Sequence, residues 1–265
     1  MKLNITHTTS YTYDSPVSYA LQQVRLTPID NPQQKIVNWT VEIDGGSEEL
    51  SFKDQHQNHT ILVQAVPGTN ELTVKARGQV ETNDTAGVLG KVYGTAPLWH
   101  FKQPTRRTQA GKRIKKLAKS VGAGSNVLDD LHALSATILS NVPYEKSQTY
   151  YATTAEEALE TGAGVCQDHA QIFVSAARSA GIPARYVSGY LMMNDRVDQD
   201  ASHAWAEAYL DDLGWVGFDV SNGISPDERY VRLATGLDSR EAAPISGLRM
   251  GSSSESMIVS LQIQQ

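Results

Sequence analysis

The 265-residue chain holds one cysteine, Cys166, in the stretch GAGVCQDHA at residues 162–170. A lone thiol has three ordinary uses: a small buried hydrophobe, a metal ligand or a nucleophile. The flanking residues bear on the choice. Thr154-Ala-Glu-Glu157 has a capping-box pattern and predicts a short helix through AEEALET, which Gly162 and Gly164 stop. CQDHAQIFVSAARSAG then places Ile172, Phe173, Ala176, Ala177 and Ala180 on one apolar face and ends at Gly181-Ile-Pro183. Cys166 is therefore expected at a helix N-terminus, where unpaired N–H groups and the positive end of the helix favour a thiolate.

A nucleophilic thiol needs a histidine to exchange protons with it and a third group to orient that histidine. His203 and Asp219 follow Cys166 in that chain order. A carboxylate beside His203 fixes its tautomer and favours the imidazolium, whose charge in turn favours the thiolate. The backbone N–H of Cys166 is placed to stabilise an oxyanion; the sequence identifies no second donor. His169 is the rival base, but it shares a helix turn with Cys166 and is the harder of the two for Asp219 to orient. Cys166 and His169 also form a C-x2-H pair, which lacks the further ligands of a zinc site, so no metal is expected. Asp168 is read as a support, complementing the helix dipole or holding the neighbouring loop. Trp205 and Tyr190 are open between lining the cleft and filling the core.

These residues need a frame. PARYVSGYLMM (183–193), SHAWAEAYL (202–210) and GWVGFDV (214–220) read as three antiparallel strands. In the second, His203, Trp205, Glu207 and Tyr209 share one face; Ala204, Ala206, Ala208 and Leu210 share the other, which is small enough for the cysteine helix to pack on. The DDLG turn makes a hairpin of the second and third strands and can bring Asp219 to His203. NVLDDLHALSATILSNV has helical spacing, and TRRTQAGKRIKKLAKS reads as a helix with a basic solvated face, carrying seven Lys/Arg from Arg106 to Lys119. The GAGS stretch at 122–125 breaks the chain between them. GISPDERYVRLATGLDSREAAPISG reads as a long loop and SMIVSLQIQ as a final strand. Residues 1–104 alternate at period two between turn-rich segments and suggest an antiparallel sandwich, with Trp39 and Trp99 in its core. The expected division is 1–104 and 105–265.

Composition narrows the function classes. A formal charge of −6 argues against general nucleic-acid binding. The apolar runs are too short to cross a membrane, and MKLNITHTTSYTYD lacks a signal peptide's apolar core, so a cytoplasmic setting is expected. No D-x-D-x-D-G calcium loop occurs; NDRVDQDAS (194–202) reads as an exposed hairpin loop that contacts substrate or gates the cleft.

GVCQDHA, GIPARYVSGY, SHAWAEAYL and GWVGFDVSNG, in that order, resemble the transglutaminase-like superfamily, specifically its bacterial cysteine-protease type. The stretch HTTSYTYDSPVSYALQQVRLTP resembles the β-domain that precedes the core in those proteins. The resemblance implies an α+β chain: a β-sandwich, then a papain-like transglutaminase core with the nucleophile helix packed on an antiparallel sheet. It also implies a triad of Cys166, His203 and Asp219. The expected enzyme needs no cofactor and acts on a protein or peptide through a thioester. Hydrolysis is favoured slightly over transfer to an amine; a non-catalytic scaffold is the competing reading.

Overall fold

The protein, described as a computed structural model, is defined over residues 1–92, 94, 96–124, 126–199, 201–250 and 254–265. Ser125 of the expected chain break and Asp200 of the expected gating loop lie outside the described residues.

The N-terminal half folds as the alternation requires. Strands β1 (Lys2–Tyr13), β2 (Tyr19–Thr27), β3 (Gln34–Asp44), β4 (Gly46–Lys53), β5 (His59–Ala65) and β6 (Glu71–Thr82) are joined by turns. Every second residue of β1 is buried, as a strand with one core face demands. Leu3, Ile5, Leu26, Val63, Leu72 and Val74 interlock in one core. Trp39 packs against that core and donates its indole N–H to the Leu26 carbonyl at 2.8 Å. Trp99, expected in the core, is 64% exposed.

The second half begins with β7 (Val88–Gly90) and four helices: α1 (Lys112–Ala118), α2 (Val127–Asn141), α3 (Ala155–Thr161) and α4 (Cys166–Ser179). The basic segment is helical only in α1. Thr105 and Thr108 close a turn before it, and the Glu156 carboxylate takes the N–H groups of Gly111, Arg113 and Ile114 at the helix start. Then come β8 (Ala184–Leu191), β9 (Asp198–Gln199), β10 (His203–Leu210), β11 (Gly214–Phe218), β12 (Tyr230–Gly236), β13 (Ile245–Met250) and β14 (Glu255–Gln264). The segment expected to be a long loop thus contains β12, paired with β8. That strand is buried on both faces, so its sequence shows no period-two signal.

Among the described residues three sheets result, ordered β3-β6-β1-β14-β9, β13-β2-β5-β4 and β12-β8-β10-β11-β7. The chain crosses the expected division at 104 in both directions. β7 pairs with β11, while β13 and β14 return to β2 and β1. Tyr190, Val231 and Leu233 of the third sheet enter the core of the first two.

α4 is the axis of the second half. From Asp168 to Arg178 each of its residues is buried, and Ala170, Phe173, Ala176 and Ala177 share a core with Ala204, Ala206 and Ala208 of β10. Small side chains on both surfaces permit that close approach. Among the described residues no helix is long and apolar enough to cross a membrane.

Candidate active site

Two glycines set the cysteine in place. Gly162 ends α3 in the left-handed region at φ 69°, a conformation glycine adopts without strain. At Gly164 a Cβ would come within 2.8 Å of Asp168 Oδ2, so a side chain there would displace Asp168. That carboxylate accepts the Val165 N–H at 2.9 Å and the Thr149 hydroxyl at 2.6 Å, tying the α4 N-terminus to the loop before α3. Burial raises the Asp168 pKa, against the effect of these two bonds. Cys166 is the first residue of α4 and is half-buried; its N–H has no partner within the helix.

Hairpin geometry delivers the other two groups. Ala206 pairs with Phe218, which places the end of β11 beside the beginning of β10. Asp219 follows immediately, held by a bridge to Ile224, and His203 opens β10. His203 Nε2 lies 2.6 Å from Asp219 Oδ2. The same oxygen accepts the Tyr230 hydroxyl at 2.7 Å and the Asn222 amide at 2.7 Å. Asp219 is fully buried. Burial opposes its charge, but bonds and charge from His203, with the Asn222 and Tyr230 bonds, hold its pKa below the ordinary value.

His203 has its other ring nitrogen, Nδ1, left for Cys166. Burial again opposes the charged ring; the Asp219 bond, then hydrogen bonding and charge at Cys166, outweigh it and push the His203 pKa from 6.5 up to about 10. A histidine bound more tightly to its proton in the folded state stabilises the fold fully below pH 6.5, and the contribution is lost as pH rises through about 10. Denaturation of wild type and His203→Gln should therefore differ most in mildly acidic buffer and converge toward about pH 10. A difference that does not change with pH would overturn this assignment of charge.

His169 does not compete for the role of base. Its Nε2 donates to the Val142 carbonyl at 2.7 Å and its Nδ1 accepts from the Ser221 hydroxyl at 2.8 Å. Burial lowers its pKa and keeps the ring neutral. With both nitrogens engaged it offers no zinc ligand; it joins the loop after α2 to the turn carrying Asp219. Trp205 is buried and stacks beside His203, ring centroids 6.4 Å apart, so it forms the wall behind the imidazole. Of the two places open to Tyr190, cleft and core, it takes the core. It is fully buried on the sandwich side, where its hydroxyl bonds His7 Nδ1 at 2.9 Å. β8 is buried on both faces, and Tyr190 points to the face away from α4.

Sequence reasoning missed Tyr230 and Asn222, which grip Asp219, and Tyr144. The Tyr144 backbone bridges Gly164, its ring meets His169 edge-on at 6.1 Å, and its side chain is 47% exposed. Burial raises its pKa, with Cys166, Asp219 and Asp168 adding to the effect, so its hydroxyl keeps its proton. Nothing local marks Tyr230, whose strand is buried on both faces, or Tyr144.

Residues 115–220 match the Transglutaminase-like superfamily core and residues 3–81 match the Bacterial transglutaminase-like N-terminal region. An uncharacterized Mycobacterium leprae protein is 27% identical over 99% of this chain and 98% of its own length. A Pseudomonas aeruginosa protein-glutamine gamma-glutamyltransferase is 34% identical over 101 residues, 34% of this chain and 15% of its own. The crystal structure of a Cytophaga hutchinsonii protein, provisionally named a cysteine protease, superposes with a TM-score of 0.78 at 25% identity, covering 100% of this chain and 91% of that one. Core and N-terminal region match in chain order: residues 115–220 match a transglutaminase-like core, preceded by a match to a bacterial transglutaminase-like N-terminal region.

Proposed function

We propose that the protein is a thiol acyl-transfer enzyme acting on peptide or carboxamide bonds, with water as its usual acceptor. The observation that carries this reading is the buried Asp219–His203 pair, with the imidazole turned to a half-exposed thiol at a helix N-terminus. The Cys166 thiolate attacks the carbonyl carbon, and the carbonyl electron pair moves onto oxygen. His203 then gives its Nδ1 proton to the departing amine as the C–N bond breaks, leaving a thioester. Neutral His203 takes a proton from the acceptor, which attacks the thioester; the C–S bond breaks and the thiolate returns. Asp219 stays ionised throughout and supports the imidazolium.

The oxyanion is assigned to the Cys166 N–H and the Tyr144 hydroxyl. Tyr144→Phe removes only the hydroxyl and should lower the acylation rate by on the order of a hundredfold with KM nearly unchanged. An unaltered rate in a burst assay would remove Tyr144 from this role.

Amine transfer has one observation in its favour, the name of the Pseudomonas aeruginosa relative. Peptide hydrolysis and incorporation of a labelled amine into a glutamine-containing protein should be measured side by side, with iodoacetamide labelling of Cys166 as a third readout. Hydrolysis exceeding incorporation is expected. Incorporation that dominates would reassign the acceptor. Neither activity, together with thiol labelling indifferent to His203→Ala, would favour a non-catalytic scaffold.

A further inference from the structure

A cavity of about 610 Å³ opens beside the residues that hold Asp219, within the size range that encloses small ligands. Its floor includes Asn222 and Tyr230, the two side chains that share Asp219 Oδ2 with His203. Tyr230 also lies against the imidazole, ring centroids 6.1 Å apart, so it links the cavity to His203. Resting on the acyl-transfer reading, the direction of the reaction follows. His203 protonates the leaving amine, so the amine-bearing half of a substrate lies on the His203–Asp219 side of Cys166.

The lining chemistry narrows what fits. Arg229 is gripped by Asp227 through two bonds, Nε to Oδ1 at 3.0 Å and Nη2 to Oδ2 at 2.6 Å. At the rim Arg196 pairs with Asp195 at 3.0 Å. Both guanidinium groups are thus paired with carboxylates, which weakens their pull on an ionised ligand. Leu191, Met193 and Ile224 supply an apolar wall and Asn194 an amide at the edge. Methionine adapts to irregular apolar shapes, while amides suit the donors and acceptors of a peptide backbone.

We propose that this cavity is the subsite for the amine-bearing half of the substrate, and that it takes an uncharged peptide segment presenting an apolar side chain. The segment leaves with its new amino group when the thioester forms; in amine transfer, an acceptor of the same chemistry enters there.

The test uses the full chain and two substrates with the same acyl half. One releases a short peptide that begins with leucine; the other is the primary carboxamide, which releases ammonia. Met193→Ala should lower kcat/KM for the peptide substrate about tenfold and leave the carboxamide unchanged. Met193→Asp should lower it further, again only for the peptide substrate, because a charge then faces the apolar residue. Equal losses on both substrates, or no loss on either, would overturn the subsite while leaving the enzyme reading intact. A wild-type protein that turns over neither substrate would overturn both. Unchanged iodoacetamide labelling of Cys166 in Met193→Ala excludes a folding defect as the cause of a selective loss.

Discussion

Cys166→Ala should lose acyl transfer by on the order of a millionfold, and His203→Ala by a similar factor. The reason is that the two side chains do one job. Without the sulfur there is no atom to hold the acyl group; without the imidazole nothing delivers a proton to the leaving amine, and the amine does not depart as an anion. Because each loss removes the same unit, the double variant should be no slower than either single one. Single-turnover release of a chromogenic leaving group measures all three. Additive losses would mean that the two residues act independently, and appreciable turnover by Cys166→Ala would end the nucleophile assignment. Folding is a small concern at Cys166, which is half-buried at the first position of α4 and packs only against the edge of the core. His203 stands in a nearly closed site between Asp219 and Trp205, so its variant needs a check of thermal unfolding beside the rate.

The parts of this site that were legible in the sequence are those set by local rules. A capping box, a left-handed glycine and an alanine-rich face determine where α4 begins and what it packs on, and so where Cys166 sits. Alternation in β10 separates His203 from the alanine face. The short hairpin to β11 brings Asp219 back to His203. What was not legible depends on burial from both sides or on contacts distant in sequence. β8 and β12 have no solvent face, so neither the burial of Tyr190 in the sandwich nor the strand carrying Tyr230 left a periodic signal. β14 pairs with β1 across nearly the whole chain, a pairing for which local pattern carries no information. Tyr144 comes to the segment before α4 only because its backbone bridges Gly164. The resemblance to a known superfamily supplied the triad roles; it did not supply the residues that hold Asp219.

Those residues bear on the second large effect. Asp219→Asn should slow acylation by about ten-thousandfold while leaving KM nearly unchanged. The native oxygen accepts three bonds at once, from His203 at 2.6 Å, Asn222 at 2.7 Å and Tyr230 at 2.7 Å. An asparagine has one acceptor oxygen and one donor NH2 for the same surroundings. If its oxygen keeps His203, its NH2 meets other donors or loses its partner; if it turns, the NH2 faces Nε2 and stabilises the tautomer protonated on Nδ1. Either way the negative charge that sustains the imidazolium is gone, and the His203 pKa falls from its raised value near 10. The alkaline fall in acylation rate should therefore move to lower pH in Asp219→Asn. Tyr230→Phe provides the contrast, since it removes one of the three donors and keeps the carboxylate charge. Its loss should stay within about tenfold, as expected for one hydrogen bond to a charged group. A pH–rate profile of single-turnover acylation reads both variants. If Asp219→Asn and Tyr230→Phe lose the same amount, or if Asp219→Asn leaves the alkaline limb in place, then Asp219 acts by packing and its charge has no part in the reaction.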